Sequence, residues 1–149
     1  MTEQRNILGT VGPRFDAAIV TRALLSGDGT YSLTSGQRYT GDGILVAIPG
    51  VGLVLEKETA ELIPAAIAQW IENYAAPAIH NFPAPFFRPR FLGSWIDPET
   101  GIVYLDIVEA FSREEKEAAI AAGIARDQIA IWDNGRQELI ETGGTGAVD

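Results

Sequence analysis

The chain of 149 residues contains no cysteine and a single histidine, His80. Without cysteine there are no disulfides, no thiolate metal sites and no thiol catalysis. A triad or imidazole-based metal site would have to draw on His80, which stands beside Asn81 at the edge of a proline-rich loop. A solvated loop histidine is the plainer reading there. No apolar run approaches the ~20 residues that span a bilayer. The start, Met1-Thr-Glu-Gln-Arg-Asn6, lacks the basic-then-apolar pattern of a secretory signal, so a soluble cytoplasmic protein is expected. Basic residues are also scarce in one half. Phe91–Asp149 carries four Lys/Arg against twelve Asp/Glu, whereas Met1–Arg90 carries seven against eight. A surface of net charge −9 repels phosphate and anionic lipid, which argues against a nucleic-acid or membrane partner. That charge suits a basic partner, and equally it serves solubility.

What is present fits one domain of ordinary apolar content, long enough to bury a core without metal or disulfide staples. Thr2–Arg14 is polar and punctuated by Gly9, Gly12 and Pro13, as in an extended arm. In Ala17–Leu25 the period is ambiguous, and the β-branched Ile19, Val20 and Thr21 tilt it towards strand. Gly27-Asp28-Gly29 reads as a turn before a short strand, Tyr31–Leu33. Ile44–Ile48 and Leu53–Lys57 read as a hairpin about Pro49-Gly50, a pair that suits a type II turn. Ile63, Ile67, Trp70, Ile71 and Tyr74 share one helical face, with Pro64 near the start and Pro77 as the stop. Ala78–Arg90 carries three prolines in its last eight residues and reads as an extended joint between two halves, 1–77 and 91–144.

The second half is the more legible. Phe91–Ile96 and Ile102–Val108 flank Asp97-Pro-Glu-Thr-Gly101, a turn built on an Asp side chain and a glycine of positive φ. Both faces of Ile102–Val108 are largely apolar, the pattern of a central strand covered on both sides. Ser112 and Glu115 form a capping box for an alanine-rich helix that Gly123 should stop. Gln128–Trp132 and Gln137–Glu141 flank Asn134-Gly135, the signal of a type I′ hairpin. Thr142–Asp149 is glycine-rich and expected to fray, with 145–149 as the frayed tail. The expected fold class is α+β: mostly antiparallel β-hairpins with two α-helices in a single compact domain.

Three groups of residues are candidates for function. Phe82, Phe86 and Phe87 with Arg88 and Arg90 crowd the stiff joint, and rigid aromatics with arginine are what protein-binding hot spots are made from. Alternatively the phenylalanines fold inwards and close the core between the halves. Asp97, Glu99, Asp106 and Glu109 cluster in sequence, and carboxylates can hold a hard cation or act as acid and base. Asp97 and Glu99 are already explained by turn chemistry, whereas Asp106 lies in an apolar strand and should find a backbone amide or an arginine. Trp95, Tyr104 and Trp132 would either line a pocket or pair across strands.

The block from Trp95-Ile-Asp-Pro-Glu-Thr-Gly101 to Ile107, the alanine-rich helix, Asp127–Asp133 and the ending Thr142-Gly-Gly144 resembles small proteins of actinobacteria and their bacteriophages. The resemblance spans the last third of the chain. It implies a phage or prophage origin and an accessory role inside a bacterial host cell, and it supplies no catalytic residues. The expectation is a non-catalytic protein-binding module, without cofactor, that engages a protein partner or self-associates as an oligomer. A carboxylate-based metal-binding protein or hydrolase is the alternative. An acidic inhibitor that imitates nucleic acid is a third reading.

Overall fold

A computed structural model describes residues 17–26, 28–56, 63–80 and 88–145. Its organising element is β5 (Val103–Phe111), the longest strand, which is paired along both edges. On one side lies β4 (Arg90–Ile96), joined to it by the hairpin about Asp97–Gly101. Gly101 takes φ +76 there, and the Asp97 carboxylate accepts the Glu99 amide at 2.9 Å, so the turn forms as its residues dictate. Beyond β4 stands β1 (Gly29–Tyr31). The other edge of β5 is shared by β2 (Ile44–Ala47) and β3 (Leu53–Leu55), and β6 (Ala130–Asp133) and β7 (Glu138–Glu141) follow outward from β2. All the pairings of this seven-stranded sheet are antiparallel. The α+β class read from the sequence is the fold observed.

Helices cover one face of this sheet. Helix α1 (Ala17–Leu25) and the long segment formed by α2 (Ile63–Trp70), a π turn (Ile71–Ala75) and α3 (Ala76–His80) lie over one end. Val20, Leu24, Ile67, Ile71, Leu92 and Ile107 are fully buried between them and the strands. Helix α4 (Lys116–Ala125) connects β5 to β6 and covers the other end, over Ile44, Val46, Phe111 and Ile131. The cap foreseen at Ser112 is present: Glu115 Oε1 accepts the Ser112 amide at 3.2 Å, and a single 3₁₀ turn, Arg113–Glu115, leads into α4.

Several local expectations are corrected. Ala17–Leu25 is a helix, because burying Val20 and Leu24 one turn apart outweighs the strand preference of its β-branched residues. The first strand is Gly29–Tyr31, and Leu33 is buried in the turn that follows. β2 and β3 are not a hairpin. They run in the same direction along one edge of β5, and Pro49-Gly50 makes an outward bulge between them, with Gly50 at φ +83. Pro77 does not end its helix. The wider π turn, closed by the Ala76 amide on the Ile71 carbonyl, restarts the α ladder, so Pro77 falls in a first turn where no N–H is required.

At the C-terminal end, Gly123 sits inside α4, and the helix stops at Asp127, which takes φ 56. The Gln128 amide reaches back to the Gly123 carbonyl at 2.9 Å and the Asp127 amide to Ile124 at 3.0 Å, a Schellman arrangement. The β6–β7 turn is a four-residue loop whose last residue, Gln137, has φ 55, and Gly135 is not at positive φ. Glycine is needed at 135 for contact, since a Cβ would lie 2.8 Å from Arg113 Nη1 and 3.0 Å from Asp42 Cβ. Residues 142–145 are anchored rather than frayed. The Thr142 amide bonds the Ile129 carbonyl, and Asp127 accepts from the Thr145 amide at 3.0 Å. The expected N-terminal arm, Gly27, Lys57, the joint over 81–87 and the tail over 146–149 lie outside the described residues.

Candidate functional site

The second face of the sheet has no helix on it among the described residues. Alternation assigns to it Phe91, Gly93 and Trp95 of β4, Tyr104, Asp106, Val108 and Ala110 of β5, Val54 of β3, Leu45 and Ala47 of β2, and Trp132 of β6. Half of it is closed. Leu45, Val108 and Ala110 are buried under Tyr39, Phe91 and Trp132, with the Tyr39 and Phe91 rings 4.6 Å apart. Tyr39 is held there because its hydroxyl accepts the Gly43 amide at 3.1 Å, and Asn134 ties the same loop down through the Gly41 carbonyl at 2.7 Å.

The other half is open. Trp95 and Tyr104 form a cross-strand pair with ring centroids 5.2 Å apart, and Val54 stands opposite Tyr104 on the far strand. Trp95 is 48% exposed and Val54 46%. Around the edge of β3 this surface continues into a groove of about 560 Å³ between β3 and the π turn, lined by Val51, Val54, Trp70, Asn73 and Tyr74 among others. The Trp70 indole donates to the Val51 carbonyl at 2.7 Å and fixes one wall. No Asp, Glu, Lys, Arg or His lines the groove.

Asp106 lies where the closed and open halves meet. Its cross-strand partner is Gly93, and a Cβ at position 93 would overlap its Oδ1, so the carboxyl lies over the bare glycine. On the opposite side Gly52 is its neighbour, with Asp106 Cβ 3.9 Å from where a Cβ would stand. The carboxyl therefore occupies a slot with glycine on both flanks, walled by Trp95 and Tyr104 on one side and Phe91 and Val108 on the other. Among the described residues it has no hydrogen-bond or ion-pair partner, and loss of solvent pushes its pKa up to about 6.

The arginines expected for Asp106 go instead to Glu109, on the helix-covered face. Glu109 is 4% exposed; Arg126 Nη2 reaches its Oε1 at 2.8 Å, and Arg90 Nη2 is 3.7 Å from Oε2. Arg126 also donates to the Ala47 carbonyl, and Arg90 to the Ala78 carbonyl; Ala78–His80, expected as the start of the extended joint, belong to α3, and Arg90 opens β4. Desolvation lowers the Arg90 pKa, with Glu109 opposing it. The trio sits at the seam between the two helical layers. Its sequence signal was Glu109 itself, an acid inside an apolar strand. A second anchor is Asp133, fully buried, which takes both Nη atoms of Arg113 at 2.7 and 2.9 Å and the Arg136 amide at 3.0 Å. Arg113 holds the Asp133 carboxyl well below the usual range.

The residues singled out in the sequence are dispersed. Arg90, largely buried, and Arg88, which pairs with Glu115 at 2.9 Å and lies 4.2 Å above the Phe111 ring, are both engaged within the fold. Phe82, Phe86 and Phe87 lie outside the described residues, and His80 is the last residue of α3. Asp97 is held below its ordinary pKa by the Glu99 amide, and Glu99 is exposed in the same turn. Asp106 stands three residues beyond Val103, the first residue of β5, and so roughly 10 Å up the strand from its turn end, on the sheet face. Among the described residues no three of His, Cys, Asp or Glu are grouped to hold a metal ion.

Fold and site together define an α+β domain with one helix-covered sheet face and one half-open aromatic face. No family model, curated protein or solved structure matches the chain.

Proposed function

We propose that this protein is a non-catalytic protein-binding accessory module and that the open half-face is its contact surface. The observation that supports this reading is the continuity of Trp95, Tyr104 and Val54 with the groove over the β3 edge. Exposed aromatic and aliphatic side chains on a flat face, bordered by a groove with polar groups in its lining, are what partner proteins cover. Trp and Tyr offer large, stiff contact area at small entropic cost. The resemblance of the last third of the chain to actinobacterial and actinophage proteins implies a phage or prophage origin for such a module, and we include that setting in the proposal.

Light scattering after size exclusion, together with capture from bacterial lysate, tests the reading. Trp95→Ala and Val54→Asp should each abolish self-association or retention of the captured species. Glu117→Ala, on the exposed side of α4, should leave both unchanged. Alanine at Phe86 and Phe87 examines the joint in the same assay. If the two face variants behave as the unaltered protein does, the open half-face is not the contact surface.

A further inference from the structure

We infer that the Asp106 slot receives a cationic side chain, arginine or lysine, presented by the partner protein. This inference rests on the open half-face being the contact surface, and it names what that surface recognises. Three features of the slot converge. Asp106 lies at the middle of this face, and among the described residues it is left without a partner, while Glu109 and Asp133 take up Arg126 and Arg113. The space over Gly93 is taken by the carboxyl itself, whereas the space beside Gly52 meets no side chain other than that of Asp106, which leaves this flank of the carboxyl clear. The walls are aromatic: the Trp95–Tyr104 pair stands on one side, and Phe91, stacked near Tyr39, on the other.

A partner that covers Trp95 and Val54 strips the remaining water from Asp106. An ionised carboxylate desolvated without compensation is costly, so an apolar or acidic insert is disfavoured. A guanidinium or ammonium supplies the opposite charge and at the same time lies against ring faces, where cation–π attraction adds to the ion pair. One carboxylate is too few ligands for calcium or magnesium, which excludes the bare cation as the occupant. The charge of the whole chain, −9, draws a basic segment towards the molecule.

The test uses the full chain and two probes, N-acetyl-arginine methylamide and N-acetyl-lysine methylamide. Their neutral counterparts, built on citrulline and norleucine, serve as controls. In proton–nitrogen correlation spectra, the cationic probes should give saturable shifts at the Gly93 and Asp106 amides and the Trp95 indole, and the neutral ones should not. Asp106→Asn should weaken the response about tenfold, the loss of one ion pair. Melting curves confirm that this variant is folded. Shifts that persist in Asp106→Asn, that the neutral probes reproduce, or that spread over the acidic surface away from Gly93 overturn the inference. If Asp106→Asn changes neither probe response nor protein association while Trp95→Ala abolishes association, the contact surface stands and the cation does not.

Discussion

Asp106 and Glu109 stand three residues apart in one strand and have opposite fates. Glu109 faces the helices and is neutralised by Arg90 and Arg126, whereas Asp106 faces the open side and is desolvated without a partner. An acid whose pKa is raised on folding stabilises the native state most when both states are protonated, and that contribution is lost as pH rises through the folded pKa. Between pH ~4, the unfolded carboxylate value, and about 6, stability should therefore decline on account of Asp106. Asp106→Asn should remove this decline. The variant should match the parent at pH 4 and exceed it by about 1–3 kcal/mol at pH 7.5 in urea titrations, the upper figure being a ceiling because the group keeps some solvent contact. Glu109→Ala has the opposite expectation. It leaves two arginines facing each other at a buried seam, and urea unfolding at pH 7 should show a loss of about 3–5 kcal/mol.

At the level of elements, α4 is fixed to the sheet by a close approach at one end and an ion pair at the other. A Cβ on Gly123 would lie 2.8 Å from Ile131 Cγ2 and 3.1 Å from Thr142 Cγ2. Alanine is the better helix former by about 1 kcal/mol, yet overpacking costs about 1–3 kcal/mol, so Gly123→Ala should lower the melting temperature. The outcome separates a glycine kept for contact from one that merely ends a helix, as the sequence suggested. Asp133→Asn loosens the other end, where Arg113 joins the start of the helix to β6. Because the Asp133 pKa is lowered on folding, its stabilisation is present above the ordinary carboxylate value and is lost as pH falls below it. The variant should thus melt lower than the parent at pH 7, and the gap should narrow steadily as the solution is taken below pH ~4.

At the scale of the molecule, the helices among the described residues are all on one side of the sheet, and that asymmetry sets what the protein can do. One sheet face is committed to the core; half of the other is closed by Tyr39, Phe91 and Trp132, and half is left as an aromatic platform. A basic partner drawn to a chain of charge −9 should bind less tightly as salt rises, since screening shortens the reach of the field to about 8 Å at physiological ionic strength. Association constants measured from 50 to 500 mM salt should fall by about tenfold or more if steering and the Asp106 contact contribute, and should stay level if the interface is purely apolar.

Sequence alone determined the β4–β5 hairpin, the centrality of β5, the cap at Ser112 and the α+β class. For the hairpin and the cap the deciding interactions are local: an Asp side chain on its own turn, a glycine at positive φ, a serine bonded three residues on. The apolar pattern of β5 marked it as central, although helices cover only one of its faces among the described residues. Tertiary packing decided the rest. Ala17–Leu25 became helix because the sheet offered a surface for Val20 and Leu24. Pro49-Gly50 became a bulge because β5 was long enough to pair both flanking segments. The difference between Asp106 and Glu109 was invisible in one dimension, since it depends on which face of β5 the helices cover and on where Arg90 and Arg126, distant along the chain, come to rest. Short-range hydrogen bonding is written in neighbouring residues, whereas desolvation and charge pairing are properties of the space that the folded chain encloses.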